Sequence, residues 1–152
     1  MTSFIKQDLP YWEQLPNIDL YLDQVLVYVN QVISQQFEEP QVVLTASMVN
    51  NYVKQGYIPK PIKKKYGPLH IARLLVITSL KPVFSIQEIW QAIEGLQMEP
   101  AVLYNHFVNA MAQEENQAPE IIQAASITLA HYYQTRHLLN QFQQEEAHVS
   151  HS

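Results

Sequence analysis

Residues 45–67 read TASMVNNYVKQGYIPKPIKKKYG. Thr45 is a residue of the helix N-cap type, and Gly56 stands where a helix ends on a left-handed residue, so the spacing predicts a short helix over 46–55. Its two sides differ. Met48, Val49, Tyr52 and Val53 form an apolar stripe at helical spacing, while Ser47, Asn50, Asn51 and Lys54 project from the opposite side. Pro59 and Pro61 then forbid a helix, and the alternation from Ile58 to Ile62 points to an extended, hairpin-like loop, a small wing over 57–66.

Outward from this stretch, glycines and prolines mark the element boundaries. Gly67-Pro68 opens a helix through LHIARLLVITSLK that stops before Pro82 and is apolar nearly all round, as expected of a buried centre. Phe84-Ser85-Ile86-Gln87-Glu88-Ile89 carries a capping box in Ser85 and Glu88 and a hydrophobic staple in Phe84 and Ile89, and the helix it opens is expected to end at Gly95. Upstream, MTSFIKQDLPYWEQLP reads as an extended arm. Asn17 caps a helix to about Phe37, with Ile18, Leu22, Val25, Val29, Ile33 and Phe37 on its apolar side. Downstream, Pro100 starts one helix through AVLYNHFVNAMAQEE, and Pro119 starts a last one reaching Glu146, whose stripe of Ile122, Ala125, Leu129, Tyr132, Leu139 and Phe142 suits home packing or a second subunit. His70, near the start of the central helix, reads as a surface histidine. The predicted centre is Leu69, Ala72, Leu75, Val76, Leu80, Phe84 and Ile89.

The chain of 152 residues is 47% hydrophobic and 15% charged, which excludes a disordered chain and suits one compact domain. The subregions are 1–44 as arm and first helix, 45–97 as head, 98–146 as C-terminal helices and 147–152 as a disordered tail. Charge is unevenly spread. From Pro40 to Gln87 there is no acid but seven basic residues, whereas the remainder holds Lys6 and Arg136 against all fourteen acids, so the net charge of −5 is +7 set against −12. An acid-free basic window is the sequence mark of a polyanion-binding segment. Cysteine is absent, which excludes a disulfide framework and thiolate metal sites and suits a cytoplasmic location. No export signal is visible, and the most apolar run, IARLLVITSL, is too short to span a bilayer, so no membrane contact is expected.

The order short helix, glycine, proline-and-lysine loop, tyrosine, helix, then F-S-I-x-E-I resembles the winged-helix DNA-binding head of the MerR-type bacterial regulators across Thr45–Ile93. Tyr52, Gly56, Pro59, Tyr66, Phe84, Ser85, Ile86 and Ile89 carry the likeness. More narrowly, IDLYLDQV at Ile18–Val25 with MVNNYVKQGYIPKPIKKKYG is similar to a bacterial domain-of-unknown-function family, number eighteen thirty-six, over roughly Pro16–Leu96. The regulator resemblance implies an all-α fold, a winged helix-turn-helix head with a small basic wing, flanked by an N-terminal helix and a C-terminal helical extension. Two departures stand out. EEPQVVL enlarges the turn between the first two helices, and Asn51 occupies the place before the tyrosine where the regulators often carry arginine.

These readings make the chain a DNA-binding regulator of transcription, with duplex DNA as partner. Helix 46–55 would address the groove through Ser47, Asn50, Asn51 and Lys54, since Asn pairs with adenine N6 and N7 and Lys with guanine or phosphate. Lys60, Lys63, Lys64, Lys65 and Tyr66 on the wing would meet the backbone. A homodimer through the C-terminal helices, turning the acidic remainder away from DNA, and an unknown small-molecule or protein effector complete the expectation. The alternative is a non-enzymatic protein-interaction module on the same frame, its basic loop docking an acidic partner. No enzyme is expected, because the chain lacks a nucleophile elbow, a phosphate-cradling glycine loop and a dinucleotide fingerprint. Six histidines without an i,i+4 pair around a glutamate give no metal site, and no cofactor is implied.

Overall fold

A helix as apolar as residues 68–80 must be covered on all sides, and the rest of the chain is arranged to do so. The computed structural model describes residues 8–113 and 117–150, excepting the side chains of 148–150. Among them are six α-helices: α1 (Leu22–Gln36), α2 (Ala46–Gln55), α3 (Pro68–Leu80), α4 (Ile86–Leu96), α5 (Pro100–Ala112) and α6 (Glu120–Ser150). A short 3-10 helix at Trp12–Gln14 precedes them, and two short strands, β1 (Leu20–Tyr21) and β2 (Lys65–Tyr66), pair antiparallel with Leu20 opposite Tyr66 and Tyr21 opposite Lys65. The fold is therefore mostly helical with one small sheet. Ten of the thirteen residues of α3 are buried, including Ile71, Leu74, Leu75 and Ile77, as an all-round apolar helix requires.

Capping signals behave as local chemistry predicts. Thr45 Oγ1 accepts from the amide of Met48 at 3.2 Å, and Gly56 closes α2 in the left-handed region at φ 81. Ser85 and Glu88 form the reciprocal box, with Glu88 N–H to Ser85 Oγ at 3.1 Å and Ser85 N–H to Glu88 Oε1 at 2.9 Å. Boundaries that depend on distant partners fall elsewhere. Asn17 does not cap α1. The pairing of Leu20–Tyr21 with the returning edge of the lysine loop keeps that segment extended, so α1 begins at Leu22, with the Tyr21 amide held by Gln24 Oε1 at 2.9 Å. Ile18 is left outside the helix and 68% exposed. Helix α4 runs one residue past the expected stop, and Gln97 rather than Gly95 takes the left-handed position, at φ 51. Helix α6 continues through Ala147 to Ser150, where a disordered tail is expected, because neither glycine nor proline interrupts it there. Residues 1–7 of the expected arm, Glu114-Glu115 at the expected end of α5 and the tail residues 151–152 lie outside the described residues.

One hydrophobic cluster joins α1, α3, α5 and α6. It contains Val25, Val29, Ile33 and Phe37 of the first helix and its end, Ala72, Leu75, Val76, Leu80 and Ile89 of the predicted centre, and Tyr104, Phe107, Val108, Leu129 and Tyr133 from the C-terminal helices. Leu69 and Phe84 are only half-buried. Residues on both sides of the 97/98 boundary contribute to this one core. Phe37 stacks on Tyr133 with ring centroids 4.7 Å apart, fixing the end of α1 against the middle of α6. Burial pushes the Tyr133 phenol up to about 12. The arm from residue 8 to 16 is strapped to α5: Tyr104 Oη donates to the Pro10 carbonyl at 2.6 Å, Tyr11 Oη to Asn109 Oδ1 at 2.6 Å, and the Trp12 amide to Asn105 Oδ1 at 2.8 Å.

Candidate nucleic-acid interface

Helix α2 is anchored by its apolar stripe. Val49 and Tyr52 are buried and Met48 and Val53 half-buried, which leaves Ser47, Asn50, Asn51 and Lys54 exposed together on the opposite side. Its orientation is set from α1. The side chain of Asn30 accepts from the Leu44 amide at 2.8 Å and donates to the Leu44 carbonyl at 2.9 Å, a two-point clamp on the backbone just ahead of Thr45. The nine residues 37–45 between α1 and α2 make the long connection that EEPQVVL implies.

The basic loop leaves α2 through Gly56 and doubles back. Ile62 and Lys65 exchange both backbone hydrogen bonds, at 3.0 and 2.9 Å, so Lys63 and Lys64 form a two-residue hairpin turn with φ of 52 and 65. Positive φ at both central positions is the mark of a type I′ turn, which favours Asn and Gly and costs a lysine about 1–2 kcal/mol per residue. Two lysines held there put their ammonium groups at the tip. Lys60, Lys63, Lys64 and Lys65 are all exposed, and Lys65 Nζ also lies 5.4 Å from the centre of the exposed Tyr21 ring.

The hairpin is fixed from beneath by residues that sequence reading placed elsewhere or did not single out. His70 is buried rather than on the surface. Its Nδ1 accepts from the Gly67 amide at 3.1 Å, and its Nε2 lies 3.3 Å from the Lys60 carbonyl, so the neutral ring with the proton on Nε2 satisfies both partners. Arg73 donates to the Tyr57 carbonyl at 3.3 Å, and burial lowers its guanidinium from the usual value, partly offset by the charge of Glu94. Tyr57 sets its ring edge-on to Trp90 at 5.9 Å. Tyr66 is buried, with its ring edge-on to His70 at 5.3 Å, so it faces the core instead of a partner. The sequence signal for His70 was its place three residues after Gly67, where a side chain reaches back to the N-cap amide. For Asn30 it was an amide among the apolar positions of α1, a signal it shares with the buried Gln36.

The arrangement therefore presents amides, a hydroxyl and lysines on one connected segment with no carboxylate between Pro40 and Gln87. No group of three or more acidic or histidine side chains suited to a metal ion occurs among the described residues. No helix there is long and apolar enough to cross a membrane. Comparison with known proteins finds no matching curated protein and no matching solved structure. Residues 10–114, from the arm through α5, match a family described as Domain of unknown function (DUF1836), a longer stretch than the sequence motifs marked and one that leaves α6 outside it. By that match over most of its length, the chain belongs to the DUF1836 family.

Proposed function

We propose that this protein is a DNA-binding regulator that grips duplex DNA with the exposed side of α2 and the lysine hairpin, in the manner of a winged helix. One observation carries the reading: Ser47, Asn50, Asn51 and Lys54 form a carboxylate-free exposed side that leads directly into a rigid hairpin tipped by Lys63 and Lys64. Amides on a helix suit adenine edges, and lysines on a fixed turn suit phosphates. The reading brings with it a two-fold pair of chains and a symmetric DNA site.

Binding to labelled duplexes as a function of salt tests it. Replacing Lys63, Lys64 and Lys65 with alanine should weaken binding to all sequences alike and reduce the slope of log K against log salt by roughly 0.9 for each phosphate no longer neutralised. Asn50→Ala or Asn51→Ala should instead relax sequence preference, by about 1–3 kcal/mol for each base no longer read, with the salt slope nearly unchanged. Absence of any retardation at low salt would sink the proposal and favour an acidic protein as the partner of the hairpin.

A further inference from the structure

Helix α6 is longer than the body it packs on. Its buried residues are Ile122, Ser126, Leu129 and Tyr133, and no described side chain beyond Tyr133 is buried. That later half is nevertheless held in place. His137 Nδ1 lies 3.4 Å from Glu38 Oε2, and Asn140 donates to Glu39 Oε2, so the side of α6 facing the end of α1 is tied down. At 3.6 residues per turn, Leu139 and Phe142 point away from that side. They are 49% and 66% exposed.

The same geometry links these two residues to the other end of the helix. Leu139 and Phe142 stand eighteen residues, five full turns, after Ile121 and Ala124, and therefore on one face with them. At its N-terminal end this face forms one wall of an apolar cleft of about 550 Å³, with Ala92 and Gln91 of α4 opposite Ala124, Ala125 and Thr128. Small side chains thus open a cleft at one end, and large apolar side chains stand uncovered at the other. From Ile121 to Phe142 the face carries no carboxylate, and its one formal charge is Arg136, three turns after Ala125, whose guanidinium lies 6.0 Å from the centre of the Tyr132 ring. The chain cannot fill its own cleft, because Ala125 and Leu139 are fourteen residues apart on one straight helix, about 21 Å.

We infer that the cleft between α4 and α6 is filled by α6 of a second copy of this chain, running antiparallel, with the partner's Leu139 and Phe142 seated against Ala124, Ala125 and Ile121. Ala125 and Leu139 are each seven residues from Tyr132, so a two-fold axis at Tyr132 brings each into register with the other and closes both clefts at once. A foreign helix or an apolar small molecule would cover the cleft but leave the ridge bare. The proposal rests on the pairing that the DNA-binding reading invokes but not on DNA, and its test uses none.

The chain has no cysteine of its own, so engineered cysteines report contacts directly. An equimolar mixture of full-length Ala125→Cys and Leu139→Cys chains, mildly oxidised, should give a disulfide-linked dimer on a non-reducing gel, whereas Leu139→Cys alone should not. Light scattering of the unmodified protein should report twice 17.6 kDa. Leu139→Glu with Phe142→Glu, both at exposed positions, should return a single-chain mass with an unchanged circular dichroism spectrum. A monomeric unmodified protein, a dimer that survives the double glutamate variant, or cross-linking of Leu139→Cys to itself would each overturn the inference. A dimer that never retards DNA would sink the DNA-binding reading and leave this one standing, whereas a monomer that retards DNA would overturn this inference and the two-fold pairing while leaving the grip of α2 and the hairpin on DNA.

Discussion

His70 reaches under the lysine hairpin to the carbonyl of Lys60, with 3.3 Å between its Nε2 and that oxygen. Because its other nitrogen accepts from Gly67, one buried ring ties the strand entering the hairpin to the start of the helix that leaves it. The loop is thus a fixed element with exposed lysines, which matters for any charged partner: little ordering entropy remains to be lost on binding.

His70→Ala should therefore loosen the loop without disturbing α3. Leaving the Gly67 amide and the Lys60 carbonyl unpaired should cost about 1–3 kcal/mol. Amide exchange at Gly67 should quicken markedly, and its protection surviving the substitution would contradict the clamp.

The turn at Lys63 and Lys64 stores strain that Asn and Gly would not feel. Lys63→Asn with Lys64→Gly should raise stability by about 1–3 kcal/mol while weakening salt-dependent DNA binding. The two effects oppose one another, as expected where backbone strain is kept for function. A melting midpoint that falls or stays put would argue against a strained turn.

The α4 cap carries a pH signature. Accepting the Ser85 amide, and then the contact with the Ser85 side chain, holds the Glu88 carboxyl below the usual carboxylate value. A depressed value means that the stabilisation is present above the ordinary carboxylate pKa and is lost as pH falls through the lowered one. Ser85→Ala should cost about 1 kcal/mol at neutral pH. Glu88→Gln should lower the melting midpoint at neutral pH and leave it level with the unmodified protein in strong acid. A gap that persists in acid would assign the effect to something other than the carboxylate.

Much of this architecture is written locally. The spacing of Thr45, the α2 stripe and Gly56 predicts a helix of the observed length, and the box at Ser85 and Glu88 places the start of α4, because such signals act between residues three or four apart. The polar side of α2 is legible for the same reason: once Val49 and Tyr52 turn inward, helical geometry leaves Ser47, Asn50, Asn51 and Lys54 no place but the surface.

Other features required the folded chain, since the partners that decide them are far apart in sequence. Asn17 and Ile18 suit a helix start on their own, yet the backbone of Leu20 and Tyr21 pairs with Tyr66 and Lys65, and ladder hydrogen bonds hold that segment extended. The place of His70 three residues after Gly67 marks its contact with the N-cap amide but not its burial under the hairpin. Its surroundings come from a loop ten residues upstream that folds back over it. Tyr66 joins the core because its strand pairs with Leu20, and a one-residue change of register would turn it outward. The sequence by itself determined the helices and the basic, acid-free stretch, because these depend on spacing and composition along the chain. Tertiary structure alone decided that His70 and Tyr66 face inward, because their burial depends on segments that meet only in three dimensions.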